Sequence, residues 1–311
     1  MNPHRLKAYL MLLTVAAIWG TAGPIIKYTL SGIDPLPFLT YRLSISAVFA
    51  LCFFIYKYLQ GKKFRRLKAH LPLVIIYGLL AAPISLGILF IALDYTTVLD
   101  LVLISVISPL IVTAGGSIFF KDHITKREKI GISIVIIGVL LNSLYPVIKS
   151  EGLKFSANIL LLINLIADSA SILVAKKATQ FKIQSANLTN AAFVIGALTL
   201  IPVTILIYGW GNFTQQIISL PFNYQLGVWY MALFSGSIAY YLFVRAQKTI
   251  EVSEAILFNY LQPLFMIPLA IFWLHESLTP SFIYGAVIIT FGLIIAESKN
   301  IKIFLDFLLN Y

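Results

Sequence analysis

Charge is scarce in this 311-residue chain: Asp, Glu, Lys and Arg together make up 11% of it, against about 25% in an ordinary soluble domain. That deficit, with 59% hydrophobic residues, excludes both a solvated globular surface of the usual kind and a disordered chain. Cysteine is rarer still. Cys52 stands alone, so neither an internal disulfide nor a cysteine-rich metal site can form. The four histidines, His4, His70, His123 and His275, fall at the ends of apolar runs, which does not suit a metal held at mid-membrane depth. There is no Gly-x-Ser-x-Gly, no His-Glu-x-x-His and no Walker phosphate loop. These absences argue against a metal, another cofactor or direct drive by ATP, and they leave an intramembrane enzyme as a remote alternative.

What the chain has instead is apolar length. Crossing about 30 Å of hydrocarbon takes about 20 apolar residues, and such windows fall near 8–28, 36–60, 71–93, 97–120, 127–147, 156–178, 184–209, 224–246, 251–274 and 280–297. Turn and charge signals separate them, as in Ser31-Gly32-Ile33-Asp34-Pro35 and the basic run from Gln60 to His70. The expected fold class is therefore an all-α integral membrane protein of ten transmembrane helices. A surplus of 11 positive charges would suggest nucleic acid in a soluble protein. Here the loop cations collect on one side, with only Lys27, Lys149 and Lys154 on the other and Arg42 inside a span. By the positive-inside rule both termini are expected in the cytoplasm, the chain crossing the plasma membrane many times, with lipid rather than nucleic acid as its partner.

The most informative stretch is Ser105–Leu140, because it returns at Asn259–Ile294 with a constant offset of 154 positions. Pro109 falls on Pro263, Thr125 on Thr279, Gly131 on Gly285, Gly138 on Gly292, and the acids Asp122 and Asp100 on Glu276 and Glu254. A duplication of that kind fixes the architecture. Five spans per copy is an odd number, so residues 1–148 and 149–297 are expected to cross in opposite senses as inverted repeats, with 298–311 as a cytoplasmic tail. Inverted repeats of broken helices around a midplane site are how alternating-access transporters are built.

The residues at mid-span carry the chemistry. Pro109 and Pro263 are expected to kink their helices and free the carbonyls of Ser105 and Asn259. Ser105 with Ser108, and Asn259 with Gln262, share one helix face at i, i+3 and form a polar belt. Asp168 stands near the centre of span six, where a carboxylate costs about 2.5–3.5 kcal/mol to insert. It is a candidate to hold a substrate ammonium or carry a proton. Arg42 either snorkels outward or meets an anion. Trp19, Tyr240 and Tyr260 are candidate aromatic walls. Asp122 and Glu276 are expected to cap the helices starting near Thr125 and Thr279, and the paired Gly131, Gly138, Gly285 and Gly292 to allow close helix contact.

In Trp19-Gly20, Arg42, Ser108-Pro109-Leu110, Gln262-Pro263-Leu264, the acids before Thr125 and Thr279, and the two Gly-x6-Gly helices, the chain resembles the drug/metabolite transporter superfamily, more narrowly its EamA-type members. The resemblance covers residues 8–297 and implies a central cavity between two repeats and the export or exchange of small metabolites, amino acids among them. The chain departs from the family pattern in having Lys121-Asp122 and His275-Glu276 where Gly-Glu is usual, and Asp168 is no part of that pattern. The reading is a secondary transporter of a small polar metabolite; an organic anion, a nucleoside and a drug-like compound stay open as substrates, as do proton coupling and a homo-oligomeric state.

Overall fold

The computed structural model describes residues 3–120, 125–148, 152–250, 255 and 257–309, and every regular element among them is helical. Asp122 and Glu254 lie outside the described residues. In order the longer apolar helices are α1 (Pro3–Leu30), α2 (Pro35–Leu59), α3 (Leu71–Tyr95), α4 (Val98–Phe119), α5 (Lys126–Ile148), α6 (Gly152–Gln180), α7 (Ser185–Tyr208), α8 (Phe222–Ala246), α9 (Phe258–Phe272) and α10 (Pro280–Leu309), with the short helices Arg65–Ala69 and Trp210–Ile218 in the connections after α2 and α7. By length and composition α1 to α4 and α6 to α8 can each cross a bilayer, while the apolar parts of α5, α9 and α10 are shorter.

Local chemistry explains where the helices stop. Pro35 opens α2 at a position where its missing N–H is no loss. Gly61 at φ 69° and Gly209 at φ 75° take the left-handed turns that close α2 and α7. Beyond Gly292, α10 meets neither Gly nor Pro and so runs unbroken to Leu309, through the segment expected to be a separate tail.

Packing separates an inside from an outside. Phe38, Leu39, Leu43, Phe90, Leu93 and Val98 are fully buried in the largest apolar cluster, which joins α2, α3, α4 and α6. On the outside, Leu206 is 85% exposed and Phe272 79% exposed. Such side chains would be a liability in water and are at home in lipid. The helices α5 and α10 approach so closely that a Cβ on Gly131 would lie 2.4 Å from the Ala296 nitrogen, and one on Gly292 would lie 2.9 Å from the Gly131 carbonyl oxygen. Only glycine permits that crossing. A Cβ on Gly138 would come 2.8 Å from Ile289, and one on Gly285 3.3 Å from Asn142. These four glycines serve packing and stand apart from the polar centre.

Candidate functional site

Four of the helices are irregular, and their irregularities meet. Pro83 has no N–H to give, so the ladder of α3 slips to a π turn over Leu80–Ile84 in which the Ser85 N–H donates to the Leu80 carbonyl. A longer π segment, Met231–Ile238, interrupts α8. It leaves carbonyls for side chains: the Trp19 indole donates to the Ser235 carbonyl at 3.1 Å and the Ser46 hydroxyl to the Ala232 carbonyl at 3.0 Å. Helix α4 breaks into Val98–Ser105 and Ser108–Phe120, and α9 passes from the 3-10 turn Leu257–Leu261 into Pro263–Phe272.

The prolines therefore act differently from the expectation. Pro109 and Pro263 each open a second half-helix, where a residue without an N–H fits, and neither bends a continuous one. The Asn259 carbonyl, expected to be free, accepts the Gln262 N–H at 3.0 Å, because the backbone before Pro263 tightens into a 3-10 turn.

These breaks border one cavity of about 140 Å³. It is lined by eight of the expected residues: Trp19, Arg42, Ser105, Ser108, Asp168, Tyr240, Asn259 and Gln262. Tyr260 does not line it. Ser85, Asn164, Met231, Ser235 and Met266 do, and of these only Asn164 was flagged, by standing one turn before Asp168. A signal for Ser85 existed in its place two residues after Pro83 in an otherwise apolar run.

Arg42 does not snorkel. It is 0% exposed, and Nε and both terminal nitrogens lack an acceptor among the described residues. Its guanidinium carbon lies 5.7 Å from the Phe90 ring centroid, within cation–π range. Tyr240 lines the same cavity as Arg42 and Asp168. It meets Trp19 edge-on at a centroid distance of 5.2 Å, and its hydroxyl donates to the Ala81 carbonyl at 3.4 Å. The Asn164 amide is spent on Ser85, donating to its carbonyl at 2.8 Å and its hydroxyl at 3.0 Å. The Ser105 hydroxyl turns back to the Val102 carbonyl, whereas the buried Ser108 hydroxyl has no partner among the described residues. Ser108 and Gln262 stand where the second halves of α4 and α9 begin, the positive ends of the two half-helices.

A second polar group closes one end of the bundle. Glu276 does not cap α10. Its two oxygens accept the Val98 and Leu99 N–H groups at 2.8 and 3.0 Å, so it caps α4, while the Thr279 hydroxyl accepts the Phe282 N–H and caps α10. The reason is position: Glu276 precedes Pro280 by a turn and reaches across to the exposed start of α4. Burial pushes the Glu276 carboxyl above its ordinary range, with the two N–H donors and Lys27 pulling it back. Beside it the Lys27 amine donates to the Leu93 and Asp94 carbonyls at 2.7 and 3.1 Å. Asp100 accepts from Thr96, Thr97 and Asn142 and pairs with Lys154 at 3.2 Å.

A polar, charged cavity at the centre of lipid-compatible helices, walled by helices that break beside it, belongs to a membrane transport protein. The chain belongs to the EamA-like transporter family, whose profile matches residues 6–144 and 155–297. It is similar to the "Uncharacterized transporter YyaM" of Bacillus subtilis (strain 168), 26% identical over 299 residues that cover 94% of each chain. It is also similar to a "Probable amino-acid metabolite efflux pump" of Salmonella typhimurium, 24% identical over 288 residues, covering 92% of this chain and 93% of that one. A solved crystal structure shares the fold at a TM-score of 0.64 and 12% identity, over 95% of this chain and 98% of that one. The chain is thus a multi-pass membrane transporter, and the family names transporters rather than enzymes.

Proposed function

We propose that the protein exports or exchanges a small zwitterion, an amino acid or a close metabolite of one, by alternating access. Residues 1–148 and 149–297 act as two inverted five-helix repeats in the plasma membrane, with both termini cytoplasmic, and rocking one repeat against the other opens the cavity to each side in turn. Arg42 and the positive ends of the two half-helices hold the carboxylate, Asp168 holds the ammonium, and Trp19 and Tyr240 pack the rest. A proton, if one is coupled, is carried by Asp168.

One observation carries this reading. Arg42 and Asp168 border the same cavity, and among the described residues neither is paired with another charged side chain. Two opposite charges left unpaired at one small cavity match the two ends of a zwitterion. The size agrees: about 140 Å³ is below the roughly 300–1,000 Å³ of sites for drug-sized ligands. The amino-acid description of the Salmonella relative points the same way.

The test is the thermal midpoint of purified protein titrated with amino acids, organic anions and nucleosides, since a ligand of the folded state raises it by mass action. Each charged contact is worth about 1.5–3 kcal/mol. Asp168→Asn and Arg42→Gln should therefore each weaken an amino-acid hit by roughly 10- to 150-fold. Unchanged affinity in both variants would reject the reading. A second reading, an organic anion, draws on Arg42 with the half-helix ends, and it predicts that only Arg42→Gln matters.

A further inference from the structure

Away from the central cavity, the loop after α2 and the turn between α6 and α7 enclose a pocket of about 400 Å³ lined by Lys57, Lys62, Lys63, Arg65, Arg66 and Lys182, with no acid among its lining residues. Six cations around one space repel one another, and at the end of a 25-residue apolar helix they do so where water gives way to lipid. The pocket is built. The Lys57 amine donates to the Gln184 and Asn187 side-chain oxygens at 2.8 and 3.0 Å and lies 4.5 Å from the Phe53 ring centroid. Two of its three N–H donors are thus fixed by neutral partners. An Arg66 nitrogen donates to the Phe181 carbonyl at 3.4 Å, tying the loop to the turn.

An apolar seat adjoins it. On α2, Phe49, Phe53 and Tyr56 precede Lys57 at i, i+4, i+7 and i+8 and so share its side of the helix; Phe49 and Tyr56 are 47 and 62% exposed, and Phe53 is the ring beside the Lys57 amine. We propose that this pocket with the α2 stripe binds one anionic phospholipid, the phosphodiester among the cations and the acyl chains along α2. A soluble phosphate would use the cations and leave the stripe idle. A zwitterionic headgroup would bring a quaternary ammonium into six positive charges. The site lies apart from the transport cavity and stands independently of the substrate assigned there.

The experiment is a thermal-midpoint titration of delipidated full-length protein in detergent with phosphatidylglycerol, phosphatidylcholine or inorganic phosphate. Lys62→Gln, Lys63→Gln and Arg65→Gln are combined in one variant. A second triple, Lys126→Gln, Arg127→Gln and Lys129→Gln, makes the same charge change at the start of α5, where all three lie outside the pocket. Phosphatidylglycerol should raise the wild-type midpoint with concentration, and phosphatidylcholine and phosphate should not. A cation near a membrane surface contributes roughly a five-fold factor to such binding, so the pocket triple should need on the order of a hundredfold more lipid. The α5 triple should titrate like wild type. A charge-keeping triple, Lys62→Arg, Lys63→Arg and Arg65→Lys, should restore binding and so separate lost charge from lost folding. Equal effects of phosphatidylglycerol and phosphatidylcholine would overturn the proposal. So would phosphate acting as well as lipid, equal weakening by both Gln triples, or a charge-keeping triple that fails to bind.

Discussion

Removing the Arg42 charge should stabilise the empty protein. Arg42 is 0% exposed, and its Nε and both terminal nitrogens have no acceptor among the described residues. A buried donor without a partner costs about 1–3 kcal/mol, and more when charged; against this stands the contact with Phe90 at 5.7 Å, worth about 0.5–2 kcal/mol. The balance is unfavourable to the fold, as the ligand-holding role proposed for Arg42 requires. Methionine keeps an unbranched apolar stem and removes every donor. Replacing buried ionic groups by apolar ones of similar volume is neutral to stabilising by about 1–4 kcal/mol, so Arg42→Met should raise the midpoint of ligand-free protein by several degrees. Its response to a transported zwitterion should be lost. The assay is a paired thermal scan in the same detergent with and without ligand, alongside uptake into proteoliposomes. A fall of several degrees in the ligand-free midpoint would refute the argument. It would mean that Arg42 is structural and that its neighbours satisfy it in a way the geometry does not show.

Two further outcomes follow from contacts away from the cavity. Gly292→Val should lower the midpoint by the equivalent of about 1–3 kcal/mol or more, because its Cβ would lie 2.9 Å from the Gly131 carbonyl and 2.8 Å from Val135. Gly152→Ala, where a Cβ meets nothing within 4 Å, is the control and should be neutral or slightly stabilising. Glu276→Gln keeps one acceptor and turns an NH2 toward an N–H, so it should cost about 1–3 kcal/mol in thermal unfolding. Because burial raises the folded carboxyl above its ordinary 4.5, the folded state binds the extra proton. The advantage of wild type over the Gln variant should therefore shrink as pH rises from about 4.5 through that raised value, and stay level above it.

Much of the candidate site's lining was legible because a membrane makes polarity expensive. Asp168 and Arg42 stand out in apolar runs, and the repeat pairs Ser105 and Ser108 with Asn259 and Gln262; all six line one cavity. The backbone was harder. A proline signals an irregular helix without saying whether the chain bends or breaks, and the turn before Pro109 depends on how Val106 and Ile107 pack. The π segment of α8 has no proline to announce it, and the indole of Trp19 and the hydroxyl of Ser46, both distant in sequence, reach carbonyls it frees. Glu276 was read from its sequence neighbour Thr279, yet its partners are Val98 and Leu99, about 180 positions earlier, and no local pattern encodes that reach.

The repeat and the cavity divide the work. What recurs at the offset of 154 is mechanical: a proline that restarts a helix and glycines that let α5 and α10 cross. What does not recur is the charge that lines the cavity. Helix α1 holds no acid to match Asp168 in α6, and α7 holds no cation to match Arg42 in α2. If the cavity merely followed from duplication, its chemistry would be doubled as its breaks are, with serines facing serines. Instead Ser105 and Ser108 line the cavity together with Asn259 and Gln262, and one cation lines it with one anion. A symmetric frame suits a motion that must open equally to two sides, whereas an asymmetric lining suits a ligand with two unlike ends. The unpaired Arg42 and Asp168 are therefore where substitutions should change which molecule is carried, while substitutions at Gly131 or Gly292 should change whether anything is carried at all.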